Sequence, residues 1–83
     1  MDNYKTIEQK LRNLEDFRGN SLTGRWERTF DSRNIMFHVY SYRTLIGLYL
    51  VEDGEHKPWV NHLKFSTTTS KHQNLIKRAW GLI

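Results

Sequence analysis

The residues that could do chemistry are concentrated in the segment FSTTTSKHQNLIKRAW, which spans residues 65–80. It places a run of hydroxyl side chains, residues 66–70, directly before His72. A nucleophilic hydrolase needs a hydroxyl activated by a histidine that a third group orients, and Asp31 or Glu52 could be that group. A hydroxyl two residues from a histidine at a helix start is poorly placed for a direct bond, and no nucleophile-elbow motif is present. We therefore predict no catalytic residue and no enzymatic activity.

The same hydroxyl run fits the start of a helix, because the N–H groups of the first turn need hydrogen-bond acceptors. Ser70 and Gln73 have the spacing of a capping box, and Thr69 is the alternative N-cap. Gly81 can end the helix. The side chains that would point inward from such a helix are Leu75, Ile76, Ala79 and Trp80. Those that would fall largely outside this stripe are Lys71, Asn74, Lys77 and Arg78.

The histidines and acidic residues do not form a metal motif. The four histidines lie 18, 6 and 10 residues apart, and the absence of cysteine removes the commonest structural zinc sites. Glu52, Asp53 and Glu55 surround Gly54 without the ligand ladder of a calcium loop, which indicates a charged hairpin tip. The five glycines are isolated and form no phosphate-binding loop. The sequence therefore predicts no metal and no cofactor.

Basic residues dominate the end of the chain, although the formal net charge is only +4. No acidic residue follows Glu55, whereas five basic residues do. Such a block favours a polyanionic partner, either nucleic acid or an acidic protein surface, and a solvated face is the alternative. Free N–H groups at the start of the last helix could also bind an anion, unless that helix caps itself. The predicted partner-binding residues are Lys64, Lys71, His72, Lys77, Arg78, Arg43 and Tyr42.

Arginine and aromatic residues also alternate in the middle of the chain, where extended structure is predicted. The arginines are Arg25, Arg28, Arg33 and Arg43, and the aromatic residues are Trp26, Tyr40 and Tyr42. Guanidinium groups pair with phosphates, and exposed rings stack on unpaired bases. No sheet motif of the common RNA-binding modules is visible, and rings on the strands of so small a domain could equally belong to the core. Direct binding of DNA or RNA is therefore the alternative prediction.

The length of 83 residues predicts one domain, residues 1–83, near the lower limit for a stable core. Aromatic residues, at 13% of the chain, supply much of the apolar surface that such a core needs. No apolar run approaches the ~20 residues of a membrane span, and the N-terminus lacks a signal-peptide core. We expect a cytoplasmic protein without membrane contact, and the sequence leaves its oligomeric state open.

Hydrophobic spacing predicts an α+β fold in which an N-terminal helix, an antiparallel sheet of three or four strands and a C-terminal helix follow one another. The first helix is predicted over residues 4–17, with Gly19 and Asn20 as its stop. Its inward stripe would be Tyr4, Ile7, Leu11 and Leu14. Residues 31–34 indicate a hairpin turn. Residues 35–42 are partly apolar on both sides, which predicts a central strand covered at least in part on each face.

Three segments resemble a known family. They are FRGNSLTG (residues 17–24), HVYSYRTLI (residues 38–46) and PWVNHLKFSTTTSKHQNLIKRA (residues 58–79). Together they are similar to a small domain of unknown function that is common in phages and prophages of Gram-positive bacteria. His38 stands where that pattern often has tyrosine, and the segment LYLVEDGEHK is longer than usual.

The resemblance implies a mobile-element protein that works in the cytoplasm of a host cell. Small phage proteins without catalytic motifs often bind and block a host machine, including nucleic-acid-dependent defence systems such as CRISPR nucleases. We therefore predict a non-enzymatic inhibitor of a host protein or nucleoprotein complex, with an anti-CRISPR protein as one form of it. A nucleic-acid-binding accessory or regulatory protein is the alternative.

Overall fold

A computed structural model describes residues 1–28 and 35–82 of the chain. Within these ranges, two helices accompany a five-stranded antiparallel sheet whose strand order is β1-β2-β3-β4-β5. The elements are α1 (Tyr4–Asn13), β1 (Phe17–Arg18), β2 (Leu22–Arg28), β3 (Ile35–Ser41), β4 (Thr44–Glu52), β5 (Glu55–Val60) and α2 (Thr67–Ala79). The predicted α+β class and the two terminal helices are confirmed. The turn predicted at residues 31–34 lies outside the described residues.

The first helix ends at Asn13, earlier than the predicted residue 17. Leu14 adopts a left-handed conformation with φ 54°, and its N–H donates to the Leu11 carbonyl. The chain then forms β1, in which Phe17 pairs with Gly24. A Cβ on Gly24 would lie 2.2 Å from the Phe17 ring, so this glycine makes room for the ring. The two-residue strand β1 is too short to carry an alternation pattern, and the prediction of three or four strands therefore missed it.

The C-terminal helix begins at Thr67, before the predicted caps Thr69 and Ser70. Ser66 is the N-cap, and its side chain accepts a hydrogen bond from the Thr69 N–H. The hydroxyl run offers several caps with equal local spacing. With Ser66 as the cap, Thr69 lies in the first turn of the helix. There its Oγ1 lies 3.0 Å from Ser41 Oγ on β3, which is a tertiary contact that local spacing does not show.

Both helices pack on the same face of the sheet and enclose the core. Ile7 and Leu11 of α1, with Leu75 and Ile76 of α2, are buried there. The sheet contributes Phe17, Leu22, Phe37, Val39, Ile46 and Val60. Ala79 and Trp80 pack against this core, which confirms the inward stripe predicted for α2. In α1 the stripe holds for Ile7, Leu11 and Leu14, whereas Tyr4 is exposed.

The central position of β3 is confirmed, and so is the prediction that each face is covered at least in part, because His38 on the side away from the helices is only 8% exposed. Ser41, Phe37 and Val39 point to the helices, and the alternate residues of β3 point to the other side. We call that side the open face, because no helix among the described residues lies on it. By the pairing register, its residues are Arg18, Thr23, Arg25, Glu27, Met36, His38, Tyr40, Leu45, Leu48, Leu50, Glu52, Glu55, Lys57 and Trp59.

Candidate binding surfaces

A basic groove runs between the two helices on the side of the molecule remote from the sheet. Its α1 wall carries Tyr4, Lys5, Glu8 and Arg12, whose spacing places them on one helical face. Its α2 wall carries Lys71, Leu75 and Arg78. We call these seven residues the helix groove. The ring of Tyr4, at 58% exposure, stands at one end of it.

The charge of the helix groove is strongly positive, with four cations around one carboxylate. Glu8 accepts from Arg12 at 2.8 Å on its own helix and from Arg78 at 2.9 Å across the groove. These two ion pairs are partly solvent-exposed, so each adds about 0–1 kcal/mol to stability and mainly positions the guanidinium groups. Within the described residues, neither Lys5 nor Lys71 lies in an ion pair with a carboxylate.

The structure brings together only some of the predicted contact residues. Lys71 and Arg78 share the helix groove, where Lys5 and Arg12 join them from α1. Lys77 lines a separate cleft on the opposite side of α2, with Trp59 of β5 among its neighbours. Lys64 is exposed in the connection between β5 and α2. The α1 cations were missed because the N-terminal segment has no net positive charge, and only helix packing adds them to the site.

Tyr42 and Arg43 lie in the turn between β3 and β4, apart from the helix groove. Tyr42 adopts φ 57° and is exposed. With Thr23, Arg25 and Tyr40 these residues line a shallow cleft on the sheet. The Arg25 guanidinium lies 5.2 Å from the centroid of the Tyr40 ring and pairs with Glu27. The cleft thus holds two arginines and two tyrosines, although Glu27 already neutralises one of the arginines.

His72 is the centre of a buried hydroxyl network rather than a surface residue. Its ring is 1% exposed, its Nδ1 lies 2.7 Å from Ser41 Oγ, and its Nε2 lies 3.2 Å from the Tyr4 hydroxyl. A buried ring cannot touch a partner on the folded surface. The predicted anion site at the start of α2 loses a donor as well, because the Thr69 N–H is bonded to Ser66. Self-capping, the alternative, is what the structure shows.

The hydroxyl that pairs with His72 comes from β3 and not from the run at residues 66–70. Ser41 is fully buried, as a third inward-facing residue after Phe37 and Val39. A serine at an inward position of an apolar strand signals a buried partner, and that signal was available in the sequence. Glu52, proposed as an orienting group, ends β4 at the tip of the β4–β5 hairpin, whereas Ser41 pairs with the first residue of β4. Asp31 lies outside the described residues.

Acid is expected to destabilise the fold through His72. Burial lowers the pKa of His72 below its usual value of 6.5, so the folded chain binds its proton less readily than the unfolded chain. The resulting stability is complete above pH 6.5 and is lost as the pH falls towards the folded pKa, by up to about 1.4 kcal/mol per pH unit. Urea denaturation at pH 7.5, 6.5, 5.5 and 4.5 measures this loss. The variant His72→Gln should show a smaller loss between pH 6.5 and 5.5, and an unchanged slope would contradict the assignment.

The described residues contain neither a membrane-spanning helix nor a cluster of metal-ligating side chains. No helix in residues 1–28 and 35–82 is both long and apolar enough to span a membrane. Over the same ranges, no three histidine or carboxylate side chains converge where they could hold a metal ion.

Comparison with known proteins identifies one family and no characterised relative. The model of a family described as a family of unknown function, DUF8033, matches residues 1–80. No curated protein and no solved structure matches the chain.

Proposed function

The chain belongs to the DUF8033 family of unknown function, and we propose that it is a non-enzymatic binding domain that blocks a host machine by occupying an anionic surface. In this proposal the protein comes from a phage or prophage, as the motif resemblance implies, and acts in the host cytoplasm. Its target is a host protein or nucleoprotein complex. Inhibition of a host defence system, as by an anti-CRISPR protein, is one form of this proposed function. The observation that carries the proposal is the helix groove, with four cations around a single carboxylate.

The helix groove has the chemistry of an interaction surface and not of a reaction site. Clustered cations raise the rate and specificity of association with a surface of opposite charge. Glu8 holds Arg12 and Arg78 in place before binding, which reduces the side-chain entropy that ordering them would cost. The exposed Tyr4 ring adds apolar contact area of the kind that is enriched at protein interfaces.

The absence of catalysis is part of the proposal, and the burial of the hydroxyl network supports it. A nucleophile must reach its substrate, but the hydroxyl closest to His72 belongs to Ser41, which has no exposed surface. The network is also complete, since no buried side-chain polar atom among the described residues lacks a hydrogen-bond partner. Its contacts hold β3 against the first turns of α2, which is a structural task.

Direct nucleic-acid binding is a second candidate, supported by the shallow cleft on the sheet. Tyr40 and Tyr42 could stack on bases while Arg25 and Arg43 contact phosphates. The ion pair between Arg25 and Glu27 weakens this candidate, because Glu27 would repel a phosphate. The helix groove is the more positive of the two surfaces, and the proposal therefore places the main contact there.

Reversing two charges in the helix groove is expected to weaken partner binding at least about tenfold, because each mutated cation then repels an anionic surface. The variant is Lys71→Glu with Arg78→Glu. Its matched control, Arg43→Glu with Lys64→Glu, makes the same change in net charge elsewhere on the molecule. Tagged proteins would be used to capture partners from a nuclease-treated lysate of a Gram-positive host, with recovery quantified by mass spectrometry. Equal recovery with both double variants would refute the groove as the contact surface.

A salt titration separates the two candidate functions. Fluorescence anisotropy with single-stranded DNA, duplex DNA and RNA would be recorded from 50 to 300 mM salt. Direct phosphate contact predicts an affinity that falls steeply, with a log–log slope of about −0.7 for each phosphate neutralised on a single strand. The leading proposal predicts partner capture that survives nuclease treatment and little affinity for free nucleic acid. Strong, salt-sensitive binding with no captured protein would favour the second candidate.

A further inference from the structure

The open face of the sheet departs from what a solvated face requires. An antiparallel sheet with one face in water normally alternates apolar residues inward and polar residues outward. Strand β4 departs from this pattern, because three of its four outward residues, Leu45, Leu48 and Leu50, are leucine and only Glu52 at its end is charged. Leu45 pairs with Tyr40, Leu48 lies between His38 and Trp59, and Leu50 pairs with Lys57. The centre of the open face is therefore apolar, although no described helix covers it.

Charge on the open face is confined to its two borders: Arg18, Arg25 and Glu27 leave one positive charge at the β1–β2 border, and Glu52, Glu55 and Lys57 leave one negative charge at the β4–β5 border. Arg25 pairs with Glu27 on β2, and Lys57 pairs with Glu55 on β5. An apolar centre with a polar, charge-balanced rim is the anatomy of a protein interface. The net charge of +4 thus resides elsewhere on the chain, mainly on the helix side. A strongly acidic or basic partner would gain no electrostatic attraction from this face.

From this arrangement we infer that a second copy of the chain covers the open face and forms a symmetric, face-to-face dimer. Self-association of a basic protein is opposed by its own charge, and the open face is the surface on which that repulsion is smallest. A two-fold interface brings the same patch together twice, and the opposite net charges of the two borders allow the positive border of one copy to meet the negative border of the other. With extents of 34 × 25 × 24 Å, one face of the molecule is about as large as the ~800 Å² per partner of a standard interface.

Pairing through the sheet edge is a less suitable route to the dimer. One edge of the sheet is β5, and Pro58 in the middle of this strand has no N–H to donate to an added strand. Proline at an edge is a common device against edge-to-edge association. The apolar outward residues and the blocked edge together direct association to the face.

The dimer also has a consequence for binding. Sheets that meet face to face leave both helix layers outside, so the two helix grooves would point away from each other. A target with repeated anionic sites, or two targets, could then be held at once, and the effective affinity would exceed that of one groove. The dimer itself does not depend on the proposed function, since it rests on the opposite side of the molecule.

Sedimentation equilibrium and light scattering between 1 µM and 1 mM test the inference. We expect the mass to rise with concentration towards twice the 10.0 kDa of one chain. Leu48→Lys places two charges in the dimer centre and should raise the dissociation constant about a hundredfold or more. The matched control is Leu63→Lys, because Leu63 is 67% exposed outside the open face and its replacement should leave the dimer intact.

Circular dichroism establishes that each variant is folded. If Leu48→Lys unfolds, Trp59→Glu replaces it, since Trp59 is already 45% exposed and its loss costs the monomer little. A wild-type chain that stays monomeric at 1 mM would overturn the inference. So would a dimer that persists in a folded open-face variant, or one that Leu63→Lys disrupts equally.

Discussion

Trp80→Ala is expected to lower the free energy of unfolding by about 3 kcal/mol, the lower end of the range for large aromatic residues in a core. The indole ring joins three elements. Its Nε1 donates to the Leu11 carbonyl of α1 at 3.0 Å, and its ring packs edge-on against Tyr49 at 5.0 Å. It also lies over Gly47, where an added Cβ would be 3.1 Å from the ring. The expected value is at the lower end because Trp80 is only partly buried.

Chemical denaturation of the alanine variant measures this loss of stability. Two control variants show how much of it comes from the hydrogen bond and whether loss of an exposed ring has a similar effect. Trp80→Phe keeps an aromatic ring beside Tyr49 but removes the N–H donor, so it should recover part of the stability. Tyr42→Ala removes an exposed ring and should change stability by less than about 0.5 kcal/mol. A loss near zero for Trp80→Ala would mean that the ring is free to contact a partner.

Phe37→Ala is expected to cost about 4 kcal/mol, the largest single effect among the replacements considered. Phe37 is 0% exposed at the centre of the inner sheet face. Its ring centroid lies 6.3 Å from that of Phe17 and 5.5 Å from that of Trp26, the latter edge-on. Removing the ring leaves a cavity between two neighbours that are themselves held by backbone pairing, so the core can collapse only in part.

The measurement is the urea midpoint, with the m-value checked for two-state behaviour. Phe37→Leu preserves much of the volume and should cost less than half as much as the alanine variant. Ile35→Ala, at an exposed position of the same strand, controls for changes in strand propensity. If Phe37→Ala costs no more than Ile35→Ala, the placement of β3 in the core is wrong.

Local features of the fold could be predicted from the sequence because neighbours in the chain decide them. The spacing of Ile7, Leu11, Leu75 and Ile76 identifies the buried sides of both helices, since helical geometry places such residues in one stripe. The hydroxyl run at residues 66–70 identifies a helix start, because hydroxyl side chains accept hydrogen bonds from the first-turn N–H groups. The residues at which the helices begin and end could not be predicted in the same way. Several hydroxyls could cap α2, and nothing local marks Leu14 as the end of α1.

The candidate sites could be predicted only in part, because they combine residues that are far apart in the chain. The basic block drew attention to Lys71 and Arg78, which do share a groove. It could not show that Lys77 faces another cleft, since a rotation of about 100° per residue along a helix separates neighbours in sequence. It also could not show that Lys5 and Arg12 belong to the groove, because acidic residues in the same segment balance their charge.

The sequence by itself determined the α+β class, the two helices and their buried stripes, because the periods of helix and strand are set by nearest neighbours. Only the tertiary structure decided what lies between elements. It paired Ser41 with His72, which are 31 residues apart, and so made a histidine that was predicted to contact a partner a buried structural one. It also placed both helices on one face of the sheet and left the leucines of β4 on the other. Such contacts depend on how elements pack, and no spacing along the chain encodes them.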